Sequence, residues 1–298
     1  MKIRAFLDRH SVLVFLLPYL VLFCLFIVIP SIASVALSFT DFNTIELPHF
    51  VGLKNYVTLL TNDTIFTRNV LPNTLIYALF VGVGGYILSF FMAWSLSQLT
   101  KTPRTILTVI LYSPSMTGGV LLSTVWGVMF NGEKTGWLNY LLLKLQVIDE
   151  PIVWLQSEKY LMPIMILVAL WGCMGVGFLS ILSGLLNINS EIYEAGYIDG
   201  IKNRFQEIVY ITIPSIKPQM LFGAIMAIVG TFNSAGTGVA LTGTNPTPNY
   251  AGQLIVNHID DYGFIRHEMG YAAAVSVVVL LGVFLLTKAV GKLFVSDD

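Results

Sequence analysis

Residues 191–218 read EIYEAGYIDGIKNRFQEIVYITIPSIKP, and they form a polar segment between two long apolar runs of the chain. The neighbouring runs, residues 160–190 and 218–259, contain no Asp, Glu, Lys or Arg. Apolar spacing and helix-ending residues predict two short helices joined by a turn inside the polar segment. The rest of the chain decides what these runs are and which side of them the segment faces.

The composition places the chain in a lipid bilayer. It is 55% hydrophobic and 11% charged, whereas about one quarter of a soluble domain is charged. Charge-free runs recur along the chain, and each is long enough for a spanning helix of about 20 residues. We therefore predict an all-α integral membrane protein in a single domain covering residues 1–298. Its six transmembrane helices are expected at residues 11–38, 70–99, 105–130, 160–186, 218–240 and 269–290.

The distribution of basic residues predicts the orientation. Six spans place both termini, the turn at residues 101–104 and the loop at residues 187–217 on one side. Most of the Lys and Arg residues fall on that side, and basic residues concentrate in cytoplasmic loops. Both termini and the 187–217 loop are therefore expected in the cytoplasm. The first apolar run exceeds the roughly 7–15 residues of a signal peptide core, which favours an uncleaved helix.

The opposite, outer side carries three longer segments, at residues 41–68, 131–159 and 241–268. The first contains a predicted amphipathic helix around residues 50–60, which either anchors the bundle at the membrane interface or offers a docking face to an outside partner. The second contains a predicted interfacial helix around residues 136–142.

No sequence motif in the chain indicates a catalytic or metal-binding site. Cys24 and Cys173 lie inside apolar runs, the four histidines are scattered, and there is no phosphate-loop, nucleophile-elbow or zinc motif. A basic face for nucleic acid is also missing. We expect no catalytic residue, no metal site and no cofactor on this chain.

The 187–217 loop carries clear helix signals. Ser190 is the expected N-cap of the first helix, and Asp199-Gly200 is expected to end it. Ala195-Gly196 leaves a bare patch in mid-helix, where Gly costs about 1 kcal/mol relative to Ala, so a close contact is expected there. A second helix is expected from Asn203 to Pro214, with an apolar face against the bundle formed by Phe205, Ile208, Val209, Ile211 and Ile213. A simple re-entrant turn between two spans is the alternative.

These residues resemble a known motif. The pattern Glu194-Ala195-Gly196-x-x-Asp199-Gly200, followed by Phe205, Ile208, Ile213-Pro214 and Pro218, resembles the EAA loop of ABC importer permeases. Two departures are Gly196, where Ala is usual, and one extra residue between Asp199 and Pro214. Further stretches resemble the carbohydrate (MalF/UgpA-like) branch of that family, so that the likeness covers nearly the whole chain: Asn73-Thr74-Leu75, Tyr112-Ser113-Pro114, Trp126, Trp137–Asn139, Trp154-Leu155 and Gly270–Ala274.

The resemblance implies the type I ABC importer permease fold and an assembly. The chain would form half of a sugar pathway in a bacterial cell membrane, beside a second homologous permease subunit. Two cytoplasmic ATPase subunits would bind ATP and magnesium, and an external solute-binding protein would deliver a sugar or oligosaccharide. The segment from Glu191 to Gly200 would be the coupling helix that docks on an ATPase.

The resemblance also implies roles for single residues of the loop. Ala195 and Gly196 would allow close packing against the ATPase, and Gly200 would shape the turn. Glu194 and Asp199 would hydrogen-bond the loop or the ATPase surface. Arg204 and Phe205 would complete the contact.

The sugar path is expected where polar or aromatic side chains lie within spans. Asn233, with Thr231 and Ser234, falls in the fifth span, and Trp171 falls in the fourth; ordinary helix packing is the alternative for each. An importer of a non-sugar solute remains an alternative, although the absence of Lys and Arg from the charge-free runs favours a neutral cargo. An ion-coupled secondary transporter would need carboxylates inside the spans, and the charge-free runs contain none.

Overall fold

A computed structural model of the chain describes residues 11–117, 119–233 and 236–294. Over these ranges the regular structure is helical, and the only β-type pairing is an isolated bridge between Thr40 and Phe50. The expected all-α class is therefore confirmed. Both predicted outer helices are present, the first as α2 and the second as α6 in the numbering given next.

The helices of the described ranges are numbered here in chain order. They are α1 (Ser11–Phe23, Cys24–Val28 and Ile29–Leu37), α2 (Lys54–Val57 and Thr58–Asn62), α3 (Phe66–Ser97), α4 (Lys101–Met116), α5 (Gly119–Met129), α6 (Trp137–Lys144), α7 (Leu161–Trp171), α8 (Val176–Leu186), α9 (Ser190–Ile198), α10 (Arg204–Ser215), α11 (Lys217–Asn233), α12 (Gly236–Thr242), α13 (Ile255–Asp260 and Asp261–Ile265) and α14 (Met269–Phe294).

Three helices in the described ranges are long and apolar enough to cross a membrane: Phe15–Leu37 within α1, then α3 and α14. Two bent pairs raise the number to five if each pair is one span. They are α7 with α8, bent by 43°, and α10 with α11, bent by 85°. The predicted span at residues 105–130 corresponds to α4 and α5, and residue 118 between them is not described. The six-span count stays a prediction.

The second helix of the loop ends at Ser215, one residue beyond the predicted end at Pro214. Its last part comprises the π-helical stretch Ile208–Thr212 followed by the short α-helical stretch Ile213–Ser215. Proline lacks the backbone N–H that a continuing helix needs, so a helix commonly ends close to it. The chain bends at Ile216, which is buried, and Pro218 lies in the first turn of α11 as expected.

The chain divides into two compact units. One comprises residues 1–63 with 259–279, and the other comprises residues 64–258 with 280–298. In the described part of the first unit, the hydroxyl of Tyr271 donates a hydrogen bond to the buried carboxylate of Asp63 at 2.6 Å. The Gly270 N–H donates to the carbonyl of Phe42 at 2.9 Å, where a Cβ would collide with the Thr40 carbonyl. Gly270 thus permits a close backbone approach inside this unit.

The second unit contains two buried apolar clusters. One is built around Tyr77, Leu161 and Met165, on α3 and α7. The other is built around Phe178, Ile181 and other side chains of α8, with residues of α3 and α11. The helices α8 and α11 approach closely at a pair of glycines, since a Cβ on Gly177 would lie 3.1 Å from the Cα of Gly223. Small residues let helix backbones approach in this way.

Candidate functional site

The first loop helix, α9, is capped at both ends. Its N-cap is Asn189, whose side-chain oxygen accepts from the Glu191 N–H at 3.1 Å; the expectation that Ser190 caps the helix is wrong. At the other end, the N–H groups of Gly200 and Ile201 donate to the carbonyls of Tyr197 and Gly196. Gly200 has φ of +99°, the left-handed geometry that this C-terminal motif requires. The predicted role of Gly200 in the turn agrees with this geometry.

One face of α9 packs against the rest of its own loop. Tyr193, Gly196 and Tyr197 share this inward face, as their helical spacing requires. Gly196 is buried, and a Cβ there would overlap Cδ1 of Ile211 on α10 and lie 3.1 Å from Cδ1 of Ile201. The expectation that Gly196 packs against an ATPase is therefore corrected: the bare patch faces the chain's own second helix, which fills the space.

A buried carboxylate joins the two loop helices. Glu207 on α10 is only 3% exposed and accepts the Tyr197 hydroxyl at 2.7 Å. Its two oxygens also accept from Nη1 of Arg204 at 2.9 and 2.8 Å. The hydrogen bond to Glu207 raises the pKa of Tyr197, and the same carboxylate raises the pKa of Arg204. We call Tyr197, Arg204 and Glu207 the carboxylate clamp.

Further contacts support the inward face. The Tyr193 hydroxyl lies 3.3 Å from Oγ1 of Thr212, and the hydroxyl of Thr212 donates to the Glu207 carbonyl. The side chain of Asn203 caps α10 by accepting the Gln206 N–H at 2.9 Å, so that the predicted helix start near Asn203 is confirmed.

The other face of α9 is open. Glu194, Ala195 and Asp199 are all exposed, and Ile198 is 87% exposed. On α10, Phe205 is 74% exposed, so that the expectation of Phe205 and Val209 packing against the bundle is wrong. Ile211 and Phe205 lie on different faces of α10, so that Ile211 points towards α9 while Phe205 points outward. The outward face thus combines apolar and acidic groups with no covering element among the described residues.

The second candidate site is a cavity of about 630 Å³ in the second unit. Its wall comes from α3, α4, α7, α8, α11, α12 and the break between α7 and α8. No Asp, Glu, Lys, Arg or His is among the residues that line it. Its polar groups are the hydroxyls of Tyr86, Ser89, Ser115, Thr117, Thr231 and Thr237 and the thiol of Cys173.

The predicted path residues have different positions. Thr231 lines the cavity and donates a hydrogen bond to the Ala227 carbonyl at 2.7 Å. Trp171 is not among the lining residues; it is 45% exposed and packs edge-on against Trp126 with ring centroids 5.6 Å apart. The side chain of Asn233 and the whole of Ser234 lie outside the described residues, so that their roles stay predictions.

Sequence reasoning missed two members of the carboxylate clamp, Tyr197 and Glu207. The pair Arg204 and Glu207 could have been predicted, because the two residues are three positions apart, a spacing that brings side chains together on a helix. Nothing local in the sequence pairs Tyr197 with Glu207, since their contact depends on how α9 folds back on α10.

Long apolar helices and a cavity between helices that has no charged side chain among its described lining residues indicate a membrane protein with a site inside its helical bundle. The family described as "Binding-protein-dependent transport system inner membrane component" matches residues 85–294, and the chain belongs to this family.

Individual relatives agree. The arabinooligosaccharides transport system permease protein AraP of Bacillus subtilis is 31% identical over 92% of this chain and 85% of its own length. The probable ABC transporter permease protein YesP of the same organism is 33% identical over 96% of this chain and 90% of its own. A bacterial ABC transporter involved in import of the acidic polysaccharide alginate has a similar fold, with a TM-score of 0.79, 21% identity and coverage of 99% and 98%.

Family membership settles the class of protein. The chain is a membrane-spanning permease of a binding-protein-dependent ABC transport system, a transport subunit in the inner membrane. The resemblance to ABC importer permeases stated from the sequence is confirmed at the level of the family. The ion-coupled secondary transporter considered from the sequence is excluded, because it belongs to a different class.

Proposed function

We propose that this permease forms half of the membrane pathway of an ATP-driven importer for a neutral sugar or oligosaccharide. Its partners are a second homologous permease subunit, two cytoplasmic ATPase subunits that carry ATP and magnesium, and an external solute-binding protein. The observation that carries the proposal is the two-faced helix α9, which is fixed to its own loop on one face and open on the other.

The open face is the proposed ATPase contact. Ala195 and Ile198 supply apolar surface, and Phe205 adds an exposed aromatic ring from α10. Buried apolar and aromatic side chains dominate the energy of most protein interfaces. Glu194 and Asp199 add negative charge, which favours a cleft with basic groups at its rim. The chain itself hydrolyses nothing in this assignment.

The cavity is the proposed site through which the cargo passes. Its hydroxyl groups suit the hydrogen bonds of a sugar, and its lining lacks the Arg or Lys groups that an anionic cargo would favour. The name of the relative AraP refers to arabinooligosaccharides, which is consistent with this chemistry. Among the candidate path residues, Thr231 has the strongest support because it lines the cavity.

The proposed orientation has six spans with both termini and the 187–217 loop in the cytoplasm. In this arrangement Lys101 and Arg104 lie inside, whereas Glu133 lies outside. Single cysteines placed at Lys101 and Glu133, in a background with Cys24 and Cys173 replaced, can be labelled in intact cells by a membrane-impermeant maleimide. The proposal requires labelling at residue 133 and protection at residue 101, and the reverse pattern refutes it.

The ATPase contact is tested by co-purification of the ATPase with tagged permease. We expect Ile198→Asp to reduce recovery of the ATPase by at least about tenfold, since it places a charge in a desolvated apolar contact. The matched control is Ile265→Asp, because Ile265 is also exposed but lies in the predicted outer segment. Equal ATPase recovery from the two variants and the wild type would show that α9 is not the docking helix.

A further inference from the structure

The carboxylate clamp lies between the helix with the open face and the helix that leads towards the cavity wall. Tyr197 belongs to α9, the helix with the open face, whereas Arg204 and Glu207 belong to α10. The helix α10 leads through the 85° bend into α11. Gly223, Gly230 and Thr231 of α11 line the cavity. The clamp is thus a polar bond between the proposed docking helix and the chain that forms part of the cavity wall.

The clamp differs from a surface ion pair because its carboxylate is buried. Glu207 is nearly fully buried, and it receives one hydroxyl donor and two contacts from a guanidinium nitrogen. Removing one partner of a buried carboxylate leaves a charge without compensation, which is more costly than losing an exposed pair. Arg204 itself is largely exposed, so that the buried end of the clamp is Glu207 and its link to α9 is the Tyr197 hydroxyl.

The packing of α9 against α10 at Gly196 is apolar. Gly196 has no side chain, and the atoms nearest to it are methyl ends of Ile211 and Ile201. A directional hydrogen bond fixes the rotation and the register of one helix on another in a way that methyl contacts do not. The clamp supplies this directional link one residue away from the glycine.

We infer that Tyr197, Arg204 and Glu207 are positioning residues that make α9 and α10 move as one body, so that ATPase movement reaches α11 and the cavity. This inference rests on the proposed function, since it assumes that α9 docks on an ATPase. It assigns the clamp to the transmission of movement, and the open face of α9 to binding.

The test uses the complete complex in proteoliposomes, with the ATPases, the second permease and the binding protein loaded with its sugar. The quantity measured is the amount of sugar imported per ATP hydrolysed. We expect Tyr197→Phe to lower this ratio about threefold, since it removes one hydrogen bond to the carboxylate, and Glu207→Leu about tenfold, since it removes the acceptor of every bond in the clamp. The variant Glu207→Gln keeps an acceptor for Tyr197, and we expect an intermediate ratio.

The matched control is Tyr210→Phe. Tyr210 is an exposed tyrosine of α10, and its change also removes a single hydroxyl. We expect the wild-type ratio for this variant, and ATPase co-purification at the wild-type level for both Tyr→Phe variants. A purely structural role predicts that ATPase recovery and import fall together while the ratio stays constant.

Two results separate the hypotheses. If Tyr197→Phe keeps the wild-type ratio, or changes ATPase recovery and import in parallel, the transmission role is wrong even though α9 docks. If the wild-type permease itself recovers no ATPase, the proposed function fails, and the inference about the clamp fails with it.

Discussion

Replacing Gly196 with Ala should destabilise the loop although Ala is the better helix former. The gain in helix propensity is about 1 kcal/mol. Against it, the new Cβ would overlap Cδ1 of Ile211 and come within 3.1 Å of Cδ1 of Ile201. Overpacking of this kind costs about 1–3 kcal/mol. The net effect is an expected loss of up to about 2 kcal/mol in the local stability of α9.

The collision can be removed by a second substitution. Ile211→Val deletes the Cδ1 atom that the new Cβ would meet, at a cost of about 0.5–1.5 kcal/mol on its own. Two neighbours remain, Cγ1 of residue 211 at an ordinary 3.5 Å and Cδ1 of Ile201 at a tighter 3.1 Å. Because Cδ1 of Ile201 is the end of a flexible side chain and needs to move by only a few tenths of an ångström, Gly196→Ala in the Ile211→Val background should be close to neutral or stabilising. The coupling between the two sites is expected to be about 1–3 kcal/mol.

Hydrogen exchange of the α9 amides, measured by mass spectrometry on the purified complex, reports this local stability. The control is Gly127→Ala in α5, since a Cβ there meets no neighbouring atom and should bring only the propensity gain. An equal effect of Gly196→Ala with Ile and with Val at residue 211 would mean that Gly196 does not face Ile211 of α10 and that no collision occurs.

Three further predictions concern other parts of the chain. Gly230→Phe should block import without loss of assembly, because Gly230 lines the cavity, whereas Gly282→Phe on α14 should import normally in the same assay. Asn139→Ala should lower the melting temperature and reduce the free energy of unfolding by about 3 kcal/mol. The reason is that the fully buried Asn139 amide forms hydrogen bonds with four backbone groups and with the Trp154 indole. A melting temperature equal to that of the wild type would contradict this. Burial is the main factor that raises the pKa of Tyr262 to about 12. The stability linked to the neutral Tyr262 phenol is therefore complete below about pH 10 and is lost as the pH rises towards 12. Alkaline absorbance titration of Tyr262→Phe should show one phenol fewer than the wild type among those that ionise late.

Local chemistry made several features of the loop predictable. Gly200 takes the left-handed conformation that ends α9, and Pro218 lies in the first turn of α11, because each residue type has a strong conformational preference. The N-cap was misplaced by one residue because Asn189 and Ser190 both have side chains suited to capping.

The direction in which a helix face points could not be predicted from its spacing. Periodicity groups Tyr193, Gly196 and Tyr197 on one face, but it does not say whether that face meets the same chain or a partner. The choice depends on α10 folding back over α9, which places Ile211 against Gly196. The cavity could not be predicted from the sequence for the same reason, since its wall combines residues that are far apart in the chain.

The helix α8 enters the loop and α11 leaves it, and these two helices pack against each other along their length. They touch at Gly177 and Gly223, and nearer the loop a Cβ on Gly184 would lie 2.9 Å from Cγ of Gln219. Side chains of both helices, among them Ile181 and Met220, share one buried apolar cluster. Closely packed helices of this kind are expected to move as one body, and both line the cavity. Under the inference made above, the clamp would pass movement of α9 through α10 to this pair of helices, which is why import per ATP is its informative measure.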